Sequence, residues 1–157
     1  MASTGFGRYW VSDLLEVWEV EKGYKSLRAG VEIGEGGVVS VFGARRVLKD
    51  AGRYTVQLGE GRHIELAPDY LQYTNHSCEP NVVFDTAGMR IVALRDIERG
   101  EEICFFYPST EWDMDEGFVC QCGCEGCVGE VRGAAYLSEE VLGRYRLSAF
   151  VRGKLRR

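Results

Sequence analysis

Short apolar runs separated by turn residues dominate the chain. The runs are rich in Val, Ile and Tyr and are bounded by clusters of Gly, Asp and Asn, a pattern typical of β-strands. They read "VVSVFG", "RYTVQL", "RHIEL", "NVVF" and "MRIVAL". Two pairs of runs flank short turns at residues 59–61 and 85–88, and each pair predicts a β-hairpin. The pattern therefore indicates a mostly β protein.

A helical pattern is convincing only near the C-terminus. Ser138 can cap the stretch "EEVLGRYRL", whose first turn carries two glutamates. Val141, Leu142 and Tyr145 fall on one face at helical spacing. We therefore expect one short C-terminal helix whose apolar face joins the core.

Composition and charge narrow the possible functions. A chain of 157 residues with 45% apolar residues suits one compact domain with an ordinary core. Nineteen Lys and Arg stand against 24 Asp and Glu, which gives a net charge of −5. A general nucleic-acid binding protein needs a broad cationic face, so this balance argues against direct nucleic-acid binding and fits a basic or neutral partner better.

Targeting signals are the next constraint. No stretch approaches the ~20 apolar residues of a membrane span, and the start "MASTGFGRYW" lacks the charged-then-apolar layout of a secretory signal. We therefore expect an intracellular protein, nuclear or cytoplasmic, without membrane association. In a reducing compartment, its six cysteines are better interpreted as metal ligands or buried thiols than as disulfides.

Four of the six cysteines fall within the eight residues "CQCGCEGC" at 120–127. Thiolates repel one another and are costly to desolvate, and a bound Zn²⁺ relieves both costs by holding four of them tetrahedrally. The four local cysteines could chelate one ion by themselves. Structural sites usually tie distant segments together, however, and Cys78, 42 positions before Cys120, is a candidate outside ligand.

Three motifs carry a resemblance to a known family. "NHSCEPN" at 75–81, "GEEICFFY" at 100–107 and the "CQCGCEGC" tail occur in this order. Together they resemble the Asn-His-Ser-Cys-x-Pro-Asn, Gly-Glu-Glu-x-x-x-x-Tyr and Cys-x-Cys-x4-Cys elements of the SET-domain lysine methyltransferases with a post-SET zinc motif. The resemblance extends from about residue 27 to residue 129, and three motifs in sequence are far more specific than one.

The resemblance implies a fold and a division of the chain. The expected fold is a SET domain of short β-sheets with a knot-like crossing, a post-SET zinc site and a short C-terminal helix. The expected segments are an N-terminal lead-in strand or segment (1–18), the SET domain (19–110), the post-SET zinc motif (111–131) and a C-terminal helical tail (132–157).

The resemblance also implies two cofactors, S-adenosylmethionine and Zn²⁺. The implied zinc ligands are Cys78, Cys120, Cys122 and Cys127, which leaves Cys124 as a spare thiol. The implied cofactor-binding residues are Lys25, Ser26, Leu27, Tyr73, Asn75, His76 and Tyr107.

Tyr107 is the implied catalytic residue. Methyl transfer from a sulfonium to an amine is an in-line displacement, so the enzyme has to align the nucleophile, shield the charge and keep the amine neutral. A tyrosine hydroxyl serves the first two needs; the alternative is an aromatic residue that closes the core at a strand end. Phe105 and Tyr54 are implied to line the substrate channel. A phenylalanine at position 105 favours di- or trimethyl-lysine as the product. Core packing is the alternative for both.

The expected activity is S-adenosylmethionine-dependent methylation of a protein lysine, with a histone tail as one candidate substrate. Tyr24, Lys25 and Ser26 stand where the family has Gly-x-Gly, and this departure keeps two other classes open. One is a SET scaffold that performs a different reaction on a small molecule. The other is a catalytically silent, zinc-stapled interaction module. Binding of S-adenosylmethionine distinguishes the lysine methyltransferase from these two alternatives.

Overall fold

The computed structural model describes residues 7–21 and 23–156, and the predicted mostly β fold is confirmed. Residues 1–6 of the predicted lead-in segment, Lys22, and residue 157 of the predicted tail lie outside the described residues. The described strands and α-helices are β1 (Gly7–Trp10), β2 (Leu15–Glu21), β3 (Tyr24–Ala29), β4 (Val38–Val41), β5 (Gly43–Leu48), β6 (Thr55–Gly59), β7 (Arg62–Ala67), β8 (Asn75–His76), β9 (Val82–Asp85), β10 (Arg90–Ala93), β11 (Cys104–Phe105), β12 (Phe118–Val119), β13 (Glu130–Val131), α1 (Glu139–Leu142) and α2 (Ala149–Leu155).

The strands form small sheets in the described part of the chain. Three are three-stranded and antiparallel, with the orders β1-β2-β3, β4-β10-β9 and β5-β7-β6. Two further sheets contain only the pairs β8-β11 and β12-β13. Strand β2 runs across the boundary predicted between residues 18 and 19, and the division of the chain into segments stays a prediction.

Both predicted hairpins are present. Strands β6 and β7 pair in antiparallel fashion around a turn in which Gly61 has φ of +59°, a conformation that glycine adopts without a Cβ penalty. Strands β9 and β10 pair around the second turn, where a carboxylate oxygen of Asp85 accepts a hydrogen bond from the Gly88 N–H at 3.0 Å. The turn residues thus set the register in both places.

The C-terminal helix is shorter than predicted. The Ser138 hydroxyl caps α1 by accepting a hydrogen bond from the Val141 N–H at 3.1 Å, but the helix ends at Leu142. A second helix, α2, follows and begins at the Ser148 cap, whose hydroxyl accepts from the Val151 N–H at 3.2 Å. None of the described helices is long and apolar enough to cross a membrane.

Two apolar clusters hold these elements together. The larger cluster is formed by the inner faces of the three-stranded sheets, with Leu15, Leu27, Ile64 and Ile91 fully buried. The smaller cluster joins Phe106, Cys78 and the C-terminal helices. The C-terminal region therefore packs against the same segment that carries the predicted cofactor and metal residues.

The parallel pair β8-β11 lies between the two clusters. Asn75 pairs with Cys104, and His76 pairs with Phe105. This places two of the three motifs side by side, at the position of the predicted knot-like crossing. Residues far apart in sequence thereby meet at the start of one cavity.

Candidate active site and metal centre

A cavity of about 960 Å³ opens beside the β8-β11 pair. Its walls combine aromatic rings with polar and acidic side chains. The predicted site residues on its wall are Lys25, Tyr54, Tyr73, Asn75, His76, Phe105 and Tyr107. Most of the residues predicted for the cofactor and the substrate channel therefore face one space.

Two predicted cofactor residues are not on the cavity wall. Ser26 and Leu27 are fully buried, because they point to opposite faces of β3 and both faces are covered at these positions. Gly23 and Tyr24 line the cavity in their place. Gly23 has φ of +81°, so a glycine does stand at this approach, next to the position where Tyr24 replaces the expected glycine.

Asn75 ties three parts of the wall together through its side-chain amide. Its Nδ2 donates to the Glu102 carboxylate at 2.9 Å and to the Lys25 carbonyl at 3.3 Å. It also lies 3.4 Å from the Tyr24 hydroxyl. The amide thus fixes β3 and the "GEE" motif against β8, and Glu102 is a wall residue that the sequence analysis did not select.

His76 joins the cavity to the cysteine cluster. Burial lowers the pKa of His76 to about 4, so the ring is neutral near pH 7. Its Nδ1 accepts a hydrogen bond from the Tyr107 N–H at 3.2 Å, which leaves the proton on Nε2. Nε2 lies 3.4 Å from the Cys78 Sγ and can therefore donate to that sulfur.

Tyr107 begins a single 3-10 turn, Tyr107–Ser109, which Phe106 separates from β11. Its hydroxyl donates to the Thr74 carbonyl at 3.2 Å. Burial raises the pKa of the Tyr107 phenol above its ordinary value, so the group stays a neutral hydroxyl. The ring packs against Phe105 and Phe118, with centroid distances of 4.8 and 5.9 Å. The hydroxyl is thereby held rigidly beside the cavity.

The predicted channel residues differ in exposure. Phe105 is buried and also packs against Phe84 at 4.3 Å, so it contributes to both the core and the cavity wall. Tyr54 is 49% exposed and lies at the cavity mouth, immediately before β6. Phe118, which the sequence analysis did not select, contacts the His76 ring at 5.7 Å from the post-SET side.

Four thiols converge next to this cavity. The sulfurs of Cys78, Cys120, Cys122 and Cys127 all lie within 4.8 Å of one another. The Sγ atoms of Cys78 and Cys120 are 3.8 Å apart. Tetrahedral zinc with Zn–S bonds of ~2.3 Å separates its sulfurs by about 3.8 Å, so the arrangement fits that ion. Cys124 lies outside the cluster, and its Sγ contacts the Cys122 carbonyl at 3.8 Å.

Residues 117–122, which we call the shared segment, belong to both features. They form one side of the cavity, and they contain Cys120 and Cys122 of the thiol cluster. Strand β12 within the segment pairs with β13, which returns the chain to the protein body. An ion in the cluster would therefore also fix this cavity wall.

Glu111 is a further residue on the cavity wall that the sequence analysis did not select. Its side chain is only 7% exposed. One carboxylate oxygen, Oε2, accepts from the Gln57 N–H at 2.9 Å and from the Thr110 hydroxyl at 2.7 Å. Burial nevertheless raises the pKa of Glu111 to about 7. The burial of Glu111 could not be inferred from the sequence, because a glutamate within the polar stretch "PSTEWDMDEG" is typical of a surface connection.

This raised pKa predicts a pH-dependent stability. The ordinary pKa of 4.5 applies in the unfolded chain, and a pKa of about 7 applies in the folded chain. The free energy of unfolding therefore falls as the pH rises through this window, by up to about 3 kcal/mol, and stays reduced above it. Because glutamine cannot ionise, Glu111→Gln should raise the free energy of unfolding at about pH 8 and should change it little at about pH 4.

Chemical denaturation at the two pH values measures this difference. Glu98→Gln is a matched control, because the Glu98 side chain is exposed. A gain for Glu111→Gln that is equal at both pH values would contradict the assigned pKa.

Comparison with known proteins identifies the family. The sequence model described as the SET domain matches residues 12–108. Methyltransferase flvH of Aspergillus flavus is 44% identical over 103 residues, which cover 64% of this chain and 57% of that protein. Histone-lysine N-methyltransferase, H3 lysine-4 specific, of Emericella nidulans is 45% identical over 65 residues, which cover 37% of this chain and 5% of that protein.

A solved structure agrees at the level of the fold. The methyltransferase domain of human Histone-lysine N-methyltransferase SETMAR matches with a TM-score of 0.54 and 18% sequence identity. The match covers 73% of this chain and 56% of that one. The SET domain model accounts for 97 of the 157 residues. The chain belongs to the SET domain family.

Proposed function

We propose that the protein transfers a methyl group from S-adenosylmethionine to the side-chain amine of a protein lysine. The observation that carries this proposal is the meeting of Asn75, His76 and the Tyr107 hydroxyl on one cavity, closed on one side by the shared segment. The printed names of the A. flavus and E. nidulans relatives, a methyltransferase and a histone-lysine methyltransferase, support it. A histone tail is the favoured substrate, because it would suit the net charge of −5.

The cavity wall suits the proposed methyl donor. The amino-acid end of S-adenosylmethionine carries one carboxylate and one ammonium group. Lys25 and Glu102 offer charges of both signs on the wall, on either side of the Asn75 amide. The aromatic rings of Tyr73, His76 and Phe118 offer flat apolar surfaces for the remainder. When bound, the cofactor supplies an electrophilic methyl group.

The residues of the chain would then align and shield the amine. The Tyr107 hydroxyl, held by the Thr74 carbonyl, presents an oxygen to the developing charge without reorganisation. The rings of Phe105 and Tyr107 would exclude water from this part of the cavity, and the loss of hydration would lower the pKa of an amine placed against them. A free lysine has a pKa of about 10.4, so this lowering increases the fraction of neutral amine.

We assign the four converging thiols to one structural zinc ion. Cys78, Cys120, Cys122 and Cys127 would complete a tetrahedral set and leave no open position for a substrate. The His76 ring would donate its Nε2 hydrogen to the Cys78 sulfur and orient it. The ion's role would be to hold the shared segment in place rather than to take part in methyl transfer.

Titration calorimetry with S-adenosylmethionine tests the proposal. The wild-type protein should bind the cofactor, and Asn75→Ala should bind it on the order of tenfold more weakly, because the variant loses the amide that joins β3, β8 and Glu102. Thermal unfolding of both proteins separates a weakened site from a weakened fold.

The same titration distinguishes the alternative functions. No heat from the wild type at high ligand concentration would favour a SET scaffold acting on a small molecule, or a silent interaction module. If no protein lysine is methylated, the small-molecule enzyme becomes the favoured function.

A further inference from the structure

The position of Glu111 ties it to the proposed reaction site. Its N–H donates to the Tyr107 carbonyl at 3.0 Å, so the residue is held at the end of the turn that Tyr107 begins. Its carboxylate is also close enough to Tyr107 to contribute to the raised pKa of the phenol. Glu111 and the proposed catalytic residue therefore lie on the wall of the same cavity.

The two carboxylate oxygens of Glu111 have different partners. Oε2 is used by the Gln57 N–H and the Thr110 hydroxyl. None of the hydrogen bonds or ion pairs among residues 7–21 and 23–156 uses Oε1. Oε1 is not among the described polar atoms that are completely buried without a partner, and Glu111 forms part of the cavity wall. The second oxygen is therefore directed to the cavity.

Folding alone does not account for this carboxylate. A buried carboxylate is costly unless a cation or several donors compensate it. The described residues supply two donors to one oxygen, and the raised pKa shows that they do not fully compensate burial. A group that costs stability and faces a cavity is a candidate for ligand binding.

The walls around Glu111 define which ligand fits. Tyr54, Thr55 and Val56 lie on the cavity wall, and the next residue, Gln57, holds the Glu111 carboxylate through its N–H. Three residues of a strand span ~10 Å, which is enough to enclose a long side chain. The rings of Tyr54, Phe105 and Tyr107 face the same space. Aromatic rings together with an anionic oxygen suit a cation that is carried on an apolar stem.

We propose that Glu111 binds the ammonium group of the substrate lysine and accepts its proton before methyl transfer. This inference rests on the proposed function, since it names how the same site receives its substrate. In the step, an N–H bond of the ammonium breaks and an O–H bond forms at Oε1 of Glu111. The electron pair stays on nitrogen, so a neutral amine and a carboxylic acid result.

The test compares two small probes that differ only in the amine. Nα-acetyl-lysine methylamide and Nα-acetyl-norleucine methylamide are titrated into the wild type and into Glu111→Gln, and binding is followed by NMR chemical shifts. The wild type should prefer the lysine probe on the order of tenfold or more, and the variant should lose this preference. Glutamine can keep the hydrogen bonds to Gln57 and Thr110, so the variant should fold.

Glu111→Asp provides a second variant in case Glu111→Gln does not fold. Aspartate keeps the negative charge, but its side chain is shorter by one methylene group. The preference of the protein for the lysine probe should therefore fall without vanishing. An equal preference for the lysine probe in the wild type and in the folded variants would overturn the proposal. The absence of any preference in the wild type would overturn it as well.

A parallel measurement separates this inference from the proposed function. Glu111→Gln should bind S-adenosylmethionine as tightly as the wild type, while its kcat/KM for lysine methylation falls on the order of tenfold or more. Unchanged kcat/KM in an otherwise active enzyme would reject the role of Glu111 and leave the proposed function intact. Failure of the wild type to bind S-adenosylmethionine would instead reject the proposed function.

Discussion

Replacing Cys78 with serine is expected to remove the metal and most of the protein's stability. Cys78 is 4% exposed, and its sulfur belongs to the cluster that joins residues distant in the chain. Structural zinc sites contribute on the order of 10 kcal/mol to folding, which is comparable to the whole stability of a small domain. The variant should therefore be largely unfolded, or should melt far below the wild type.

Metal analysis and circular dichroism measure this effect. The wild type should contain one zinc ion per chain, and Cys78→Ser should contain none. Cys124→Ser is the matched control, because the Cys124 sulfur lies outside the cluster, and it should keep both metal and stability. A well-folded, zinc-free wild type, or a metal lost in Cys124→Ser but retained in Cys78→Ser, would show that the ligand assignment is wrong.

Replacing Tyr107 with phenylalanine is expected to give a folded and nearly inactive protein. The variant keeps the ring that packs against Phe105 and Phe118, and it loses one hydrogen bond to the Thr74 carbonyl. One such bond contributes about 1 kcal/mol to stability, so the fold should survive. Loss of one preorganised hydroxyl that faces developing charge typically lowers turnover by about 10²–10³.

Mass spectrometry of the methylated lysine product measures turnover and product state. Phe105→Tyr is the companion variant, because it adds a hydroxyl to the neighbouring ring. The added hydroxyl should anchor a water molecule in the space for further methyl groups and shift the product towards monomethyl-lysine without abolishing turnover. Wild-type turnover in Tyr107→Phe would remove Tyr107 from the catalytic role.

The hairpins could be predicted from sequence because local signals specify them. Asp85 and Gly88 act within their own turn, and Gly61 supplies the positive φ of the other. Strand β5 gave no such signal. Its side chains are mostly exposed, and it is fixed by pairing with β7, where Arg45 and Arg46 lie within 3.7 Å of Glu65. An edge strand of this kind has no apolar alternation to detect.

The candidate site could be predicted from the sequence only where the residue types by themselves indicate the chemistry. In a reducing compartment, crowded thiols indicate a metal rather than disulfides, so the cluster around Cys120 could be inferred before its geometry was known. The burial of Glu111 could not, because it depends on Gln57, which lies 54 residues earlier in the chain and supplies one of its hydrogen bonds. Likewise, Tyr24 and Ser26 share one face of β3, and only the packing of distant segments decides that Tyr24 lines the cavity while Ser26 is buried.

The shared segment would make the two proposed binding sites thermodynamically dependent on each other. Residues 117–122 must be ordered both to close the cavity and to present Cys120 and Cys122. Whichever ligand bound first would bear any entropy cost of ordering the segment, and the second would then bind to a chain that is already ordered. Linkage requires the effect to be reciprocal, so an occupied cavity should raise the equilibrium affinity for zinc by the same factor by which zinc raises the affinity of the cavity for its ligand.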